Sequence, residues 1–427
     1  MKIEQLHQLF LECKSVSTDT RTIKKNIMFF ALKGDNFNGN TFSTEALKKG
    51  AKYVIIDELE YNTSSQTILV ENVLETLQQL ATYHREYLNI PIIGLTGSNG
   101  KTTTKELINT VLSKKYNTTA TKGNLNNHIG VPLTLLSMTK DTEIGIVEMG
   151  ANHLKEIEFL SNIAKPDFGY ITNFGKAHLE GFGSIQGVIN GKSELYNYLI
   201  TYKKHIFFNA DDTIQNEKLS NYNLKSGFSN QTQNQLNINF LEANPFVTLK
   251  FQDQIITSQL IGKYNFTNIS AAITIGSYFN VKFSDIKAAI ENYAPTNNRS
   301  QIINKNSNKI ILDAYNANPT SMKAALENFS NLNATYKIAF LGDMFELGDE
   351  AQAEHQNITD LITTLNINTV YLIGTNFNST KTENKKIKQY KTFEALKKSF
   401  NTIDITNATL LIKGSRGMAL ERIVDLF

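Results

Sequence analysis

One cysteine, Cys13, stands in the 427 residues, so no disulfide can form within the chain and the sequence suits a reducing compartment. No apolar run reaches the roughly 18 residues that a membrane span needs. Met1-Lys2-Ile3-Glu4-Gln5 leads into no apolar signal region either, so the sequence predicts a cytoplasmic protein with no membrane insertion. Neither sign of charge is in excess. Lys and Arg number 43 against 40 Asp and Glu, a net charge of +3, which gives no footing for nucleic acid or an acidic membrane surface. The chain is rich in Asn, Lys and Thr, yet no tract is long enough to count as low complexity, and the bias reads as compositional drift. The 41% hydrophobic content is globular, and the length implies about two to four domains.

One further absence is local. Ile92-Ile93-Gly94-Leu95-Thr96-Gly97-Ser98-Asn99-Gly100-Lys101-Thr102-Thr103-Thr104 has Leu95 where the usual phosphate-binding loop carries its first glycine, leaving the shorter G-x-x-G-K-T. Taken alone, this is also how a surface turn rich in Gly and Ser reads. The flanks decide between the two. An apolar run enters the loop, and Leu107, Ile108, Val111 and Leu112 after it fall on one helical face. Strand, glycine loop, Lys-Thr and helix together make a phosphate cradle. Gly97 and Gly100 let the backbone turn its N–H groups inward, Ser98, Asn99 and Thr103 complete the loop, Lys101 reaches the terminal phosphates and Thr102 offers a hydroxyl to Mg²⁺. A nucleoside triphosphate is the expected ligand.

Around this loop the chain reads as three α/β units. The first, residues 1–89, has a buried strand over Asn26–Leu32, a helix ending on Gly50, a strand over Tyr53–Ile56 and a helix from Leu74 to Tyr87. Its polar stretch Ser17-Thr18-Asp19-Thr20-Arg21 is either a solvated turn or a holder for a phosphorylated ligand. The second unit, 90–297, alternates helices with apolar strands at Ile92–Leu95, Ile144–Val147, Gly169–Thr172 and Ile206–Phe208, the pattern of a parallel sheet covered on both faces. Chemistry then gathers at the strands' carboxyl ends, where Glu148, Asn173 and His178 stand, with Lys192 soon after. Asn126 and Asn127 lie in a polar turn able to close over a ligand. Residues 220–260 read as a β-rich excursion, and Gly262–Ala272 opens a helix that packs through small residues. The third unit, 298–427, has strands at Lys309–Leu312, Lys337–Leu341, Val370–Ile373 and Thr409–Ile412 and reads as doubly wound, with Asp313, Asp343 and Lys413-Gly414-Ser415-Arg416 at strand ends.

These stretches, in this order, resemble the Mur ligases, the ATP-dependent amide-forming enzymes of peptidoglycan precursor synthesis. Thr96–Glu106, Asn126–Pro132 and Glu148–Asn152 look like that family's central domain. Asp313-Ala314-Tyr315-Asn316-Ala317-Asn318-Pro319, Leu341–Gly348 and Lys413–Gly417 look like the C-terminal domain of the branch that adds D-alanyl-D-alanine. The N-terminal match is looser, with Asn38-Gly39-Asn40 where the family often has Asp-Gly-His.

The resemblance implies a monomer of three domains: a small N-terminal α/β domain for a uridine nucleotide, a central P-loop ATPase domain, and a C-terminal Rossmann-like domain for the incoming dipeptide. The implied substrates are ATP, UDP-N-acetylmuramoyl-tripeptide and D-alanyl-D-alanine, with Mg²⁺ as cofactor. Thr102 and Glu148 would hold one Mg²⁺, and His178 and a carbamylated Lys192 a second. Asn268 would contact adenine, Asp313 the ribose and Arg299 the γ-phosphate. Thr20 and Arg21 fall to the uridine substrate, Asn126 and Asn127 to the tripeptide side, and Asn316, Asn318, Lys413, Ser415 and Arg416 to the dipeptide. Read without the resemblance, Lys192 is an exposed helix lysine paired with Glu194 or its neighbours, Asn268 a helix-starting Asn, Arg299 a solvated linker residue and Asp343 equally a helix cap. Two rival functions remain: another ligase of the superfamily, such as a diaminoacid-adding enzyme or a folylpolyglutamate synthase, and a nucleotide-binding regulator without catalysis. Asp313–Pro319 and Lys413–Gly417 weigh against the first. The joint presence of Lys101, Thr102, Glu148, His178 and Lys192 weighs against the second.

Overall fold

Three largely parallel sheets follow one another along the chain, each covered by helices on its faces. The computed structural model describes residues 1–232, 235–296, 298–400 and 405–427; residue 297, the expected end of the second unit, lies outside them. In the first sheet the strands run Val16–Ser17, Ile27–Phe30, Ala51–Ile56, Thr67–Leu69, all parallel. All four residues of Ile27–Phe30 are buried. Their alternation sends Met28 and Phe30 to a core shared with Leu77 and Leu80 of helix Val73–Leu88, and Ile27 and Phe29 to a second core with Ala46, Val54 and Ile56. A strand apolar on both faces has no side to offer water, so it lies inside the sheet.

The central sheet runs Leu236–Asn237, Lys225–Ser229, His205–Asn209, Phe168–Ile171, Ile92–Thr96, Ile144–Glu148, Thr118–Ala120, again all parallel. The glycine-loop strand is thus flanked by the two strands that end at Glu148 and at Thr172-Asn173, which brings three polar strand ends together. Helix Asn265–Tyr278 packs on helix Lys101–Leu112 through Ala271, Ala272 and Gly276. A Cβ on Gly276 would stand 2.4 Å from Val111 Cγ1, so the small residues set this approach.

The expected excursion over 220–260 divides in two. Lys225–Ser229 and Leu236–Asn237 extend the parallel sheet, because Lys225–Phe228 find their partners on Ile206–Asn209, a pairing that local pattern does not encode. Only Asn239–Ala243, Phe246–Phe251 and Gln254–Ile261 form a separate antiparallel sheet, burying Val247, Leu249 and Phe251 on alternate positions. The third sheet runs Gln301–Lys305, Asn308–Asp313, Thr409–Lys413, Lys337–Gly342, Thr369–Ile373, Ile387–Tyr390, with only the first pair antiparallel. Among the described residues no helix is long and apolar enough to cross a membrane.

The first and second units are joined by polar contacts sunk in apolar packing. Arg85 donates twice to the Lys165 carbonyl at 3.1 Å and once to Asp167 Oδ2 at 2.5 Å. Nearby, His84 Nε2 lies 3.0 Å from the Met138 carbonyl, and His84 Nδ1 lies 3.0 Å from His7 Nε2. The carbonyl only accepts, so His84 carries its proton on Nε2 and accepts from His7 through Nδ1. That leaves His7 Nδ1 a bare, buried lone pair. Burial, and then the neighbouring His84, pull the His7 pKa down to about 4. The unfolded chain takes up a proton near 6.5 that the folded one refuses until about 4, so stability falls as pH drops through that window, by up to about 3 kcal/mol. Denaturant unfolding at pH 7 and pH 5 is expected to show about 2 kcal/mol of that loss in the natural chain and a smaller one in His7→Phe; equal losses would mean another group titrates.

Candidate active site

The loop conformation follows from two glycines. Gly97 has φ +141° and Gly100 φ +80°, regions that L side chains rarely adopt and glycine enters at little cost. A Cβ at Gly97 would lie 2.0 Å from Thr172 Oγ1, and one at Gly100 would lie 2.7 Å from Asn268 Oδ1. The amides of Ser98 and Asn99 are engaged by Asn173, at its carbonyl and Oδ1 (3.1 Å each). The N–H groups free for an anion are therefore those of the first turn of helix Lys101–Leu112, which have no intrahelical acceptor. Lys101 folds back over the loop, its Nζ 2.7 Å from the Gly97 carbonyl and 3.3 Å from that of Ser98. Burial lowers its pKa.

Opposite lies an acidic corner. Glu148, itself buried, accepts at Oε1 from Asn126 Nδ2 (2.9 Å) and Thr102 Oγ1 (3.3 Å). Among the described residues its Oε2 has no hydrogen-bond donor, and it faces the buried Lys105 ammonium at 3.7 Å. An orphaned carboxylate oxygen beside a hydroxyl is a donor set that fits a hard divalent cation. Among the described residues no cluster of three or more His, Cys, Asp or Glu could hold a metal, so phosphate and water oxygens would have to complete the shell, as Mg²⁺ prefers.

Lys192 differs from its reading as an exposed helix lysine. It is fully buried in helix Ile185–Thr201, with Nζ 2.8 Å from the Ala151 carbonyl and 4.9 Å from the centre of the Phe182 ring. Glu194 does not pair with it, accepting instead from the amides of Lys155 (2.7 Å) and Glu158 (3.0 Å) at the start of helix Glu156–Ala164. Burial, then the charge of Lys101, push the Lys192 pKa well below the ordinary lysine value, favouring the neutral amine. His178, at φ +54°, hydrogen-bonds through Nδ1 to the carboxylate of Glu346 from the third unit.

The third unit forms the other wall. Asn318 caps helix Pro319–Asn331 through Ser321 N (2.9 Å) and donates to Asn99 Oδ1 (2.7 Å) on the glycine loop. Lys176 N donates to Thr320 Oγ1 at 2.9 Å, and Lys176 Nζ pairs with Glu354 at 2.6 Å. Asp313 accepts from Ser300 N (3.1 Å) and from the buried Lys413 Nζ (2.6 Å), which also lies 3.4 Å from the Asn316 carbonyl. Between the walls is a cleft of about 620 Å³, a volume suited to a nucleotide-sized ligand.

The cleft brings together most of the residues singled out from sequence: Ser98 to Thr103, Asn126, Asn127, Glu148, His178, Asn268, Arg299, Asp313, Asn316, Asn318 and Lys413 all line it. Asn127 also accepts from Ile129 N and Gly130 N at the head of helix Gly130–Leu136, and Asn316 accepts from Ala317 N. Both ends of the Asn268 amide are occupied, by Thr104 Oγ1 (3.0 Å) and Asn265 Oδ1 (2.8 Å), so it braces the loop. Gly97 and Lys192 stand behind the wall. Four residues lie apart from the cleft. Thr20 and Arg21 are in the first unit, Arg21 exposed and paired with Asp19 at 2.7 Å. Ser415 is buried, accepting from Phe345 N at 2.9 Å, and Arg416 is exposed, 3.6 Å from Glu421. Of the two readings left open for Asp343, the structure has the cap: it accepts from Asn376 N and Phe377 N, each at 2.9 Å. Tyr264, Phe159 and Tyr315 line the cleft unforeseen; Tyr315 sat inside the Asp313–Pro319 stretch, while Phe159 carried no signal.

A glycine loop facing a buried acid, roofed by a second α/β unit, is the site of an enzyme that spends a nucleoside triphosphate to activate a substrate. Three family models match in series: the Mur ligase family catalytic domain over residues 12–85, the Mur ligase middle domain over 95–276, and the Mur ligase glutamate ligase domain over 298–416. The UDP-N-acetylmuramoyl-tripeptide–D-alanyl-D-alanine ligase of Bacillus subtilis (strain 168) is 36% identical over 429 residues, covering 96% of this chain and 92% of its own. Among solved structures, MurF from Acinetobacter baumannii aligns with a TM-score of 0.87 at 29% identity, over 100% of this chain and 98% of its own. MurF ligase from Thermotoga maritima in complex with ADP aligns with 0.84 at 26%, over 98% and 97%. The chain belongs to the Mur ligase family.

Gly97→Ala tests the loop. Forcing a side chain to φ +141° against Thr172 costs on the order of 1–3 kcal/mol of strain. ADP affinity by calorimetry is expected to fall by about five- to 150-fold, with the far-ultraviolet circular dichroism unchanged. Unaltered affinity would mean that the loop does not shape the site.

Proposed function

We infer that this chain is an ATP-dependent amide ligase that joins D-alanyl-D-alanine to UDP-N-acetylmuramoyl-tripeptide, releasing ADP and phosphate and giving UDP-N-acetylmuramoyl-pentapeptide. One observation carries the reading. The glycine loop and the Asp313–Pro319 segment, which resembles the D-alanyl-D-alanine-adding branch, face each other across a single cleft and touch through Asn318 and Asn99.

The tripeptide's terminal carboxylate attacks the γ-phosphorus, the bond to ADP breaks, and an acyl phosphate forms. The dipeptide's amine then attacks the acyl carbon, loses a proton, and phosphate leaves. The first step brings one anion onto another, so the surrounding residues must supply positive potential that is already in place. Lys101 and the amides of the first helical turn serve the β- and γ-phosphates, and Arg299 serves the γ-phosphate from the third unit. Asp313 takes the ribose, and Asn268 contributes next to the base while bracing Gly100. Asn126 and Asn127 face the tripeptide, with Thr20 and Arg21 at its distant uridine end. Asn316, Asn318, Lys413 and Arg416 receive the dipeptide, and Ser415 holds Arg416's segment in place. Thr102 and Glu148 would hold Mg²⁺, with His178 and carbamylated Lys192 for a second ion, and the metal would supply charge neutralisation at the phosphate oxygens. Carbamylation joins the Lys192 nitrogen to CO₂ with loss of a proton, which only a neutral amine can do, and burial of Lys192 favours that form.

Phosphate release is the direct test. Purified chain with ATP, Mg²⁺ and UDP-N-acetylmuramoyl-tripeptide should release phosphate with D-alanyl-D-alanine and not with a diamino acid; the reverse preference would assign the diaminoacid-adding branch, and none with either acceptor a regulator. In the same assay Lys101→Ala is expected to lower kcat at least about a hundredfold, the scale of one lost preorganised contact of roughly 3 kcal/mol. A loss under about tenfold, or roughly 1.4 kcal/mol, would remove Lys101 from the phosphates.

Lys192→Ala should be nearly inactive, and acetate or formate should restore part of the activity by occupying the vacated anion position. Labelled bicarbonate should give a carbamate carbon resonance in the natural chain that Lys192→Ala lacks. Absence of both signal and rescue would leave Lys192 an ordinary buried amine.

A further inference from the structure

Arg299 enters the cleft with no carboxylate among the described residues to hold it. Among the described residues it makes no ion pair, and its Nε is buried without a hydrogen-bond partner. What it has is Tyr315, whose ring centre lies 3.7 Å from Arg299 Cζ, contact distance for a guanidinium on a π face. Chain register produces the meeting. Gln301–Lys305 pairs antiparallel with Asn308–Asp313, Gln301 stands opposite Leu312, and Ser300 N bonds Asp313 Oδ1, so Arg299 and Tyr315 leave the same end of the hairpin into the cleft. The mechanism above makes no use of Tyr315.

A carboxylate partner would cancel the charge that Arg299 brings and occupy the donors it needs. A ring face does neither. It restrains the cation from one side and leaves the in-plane N–H groups free for a phosphate. Restraint matters here because Arg299 and Lys101 are two cations lining the same cleft, and like charges repel. Arg416 also approaches this ring, but at 5.8 Å and with Glu421 as its own partner, so the grip is on Arg299.

We propose that Tyr315 is a positioning residue whose ring holds the Arg299 guanidinium, charged and unpaired, toward the terminal phosphate of the nucleotide. This rests on the reading of Arg299 as a γ-phosphate contact, and the test separates the two. Steady-state kinetics of the full chain would compare Tyr315→Leu, Tyr315→Phe, Arg299→Ala and the Tyr315→Leu/Arg299→Ala pair. Tyr315→Met, also without a π face, replaces Tyr315→Leu if the latter lacks the natural unfolding temperature. Tyr315→Leu should lower kcat/KM for ATP by about five- to thirty-fold, the range that a cation–π contact of about 1–2 kcal/mol converts to. KM for D-alanyl-D-alanine should not move. Tyr315→Phe should restore the natural values, and the paired variant should be no worse than Arg299→Ala, since both remove one contact. Impairment in Arg299→Ala with none in Tyr315→Leu, or losses that multiply in the pair, would overturn this inference and leave the role of Arg299 standing. A natural kcat/KM for ATP in Arg299→Ala would overturn that role and this inference together.

Discussion

A carboxylate does not approach a triphosphate unless positive charge already stands between them, and most of the cleft's construction follows from that constraint. The cations that could meet the phosphates, Lys101 and Arg299, are both buried or partly so, and among the described residues both lack a carboxylate partner within hydrogen-bond reach. Lys101 is parked on the carbonyls of its own loop, and Arg299 on an aromatic ring. Each is held without being neutralised. Asp313, by contrast, is paired directly with the Lys413 ammonium at 2.6 Å. The low dielectric of a closed cleft strengthens each of these arrangements, whether favourable or not.

Closure is the second consequence. The second and third units meet through Asn318 and Asn99, Thr320 and Lys176, and His178 and Glu346, so the roof contacts the glycine loop and the strand-end segment after Thr172. These are polar bonds, each modest in net free energy and exchangeable with water. Polar contact between units is what a cleft that must admit and release substrates requires. The junction of the first and second units is different in kind, with Arg85 and the His7–His84 pair packed into an apolar core.

Much of this was legible from local pattern. Apolar runs marked the inner strands of all three sheets except Lys225–Ser229, since a strand buried on both faces has no polar alternation to confuse the reading. The glycine loop announced itself by its flanks even without its first glycine. Outer strands were silent: Val16–Ser17, Thr118–Ala120 and Gln301–Lys305 are short or polar, and their strand character comes from the neighbour they pair with. Lys192 misled in the same way. Its letter says solvent, and only packing beneath Phe182 and Ala151 makes it a buried amine.

What the sequence determined alone is therefore the set of elements and the chemistry at their ends: which strands are interior, where a phosphate would sit, and which acids, amides and lysines terminate the strands. Those are short-range properties, set by periodicity, glycine and the type of each residue. Tertiary structure decided which of those ends share a cleft and in what state. It placed Asn318 on Asn99 across 219 residues, buried Lys192 until its neutral form is favoured, drew Glu194 away to a helix start, and laid Arg299 on Tyr315. Burial and charge proximity are sums over neighbours far apart in the chain, and no window of sequence contains them.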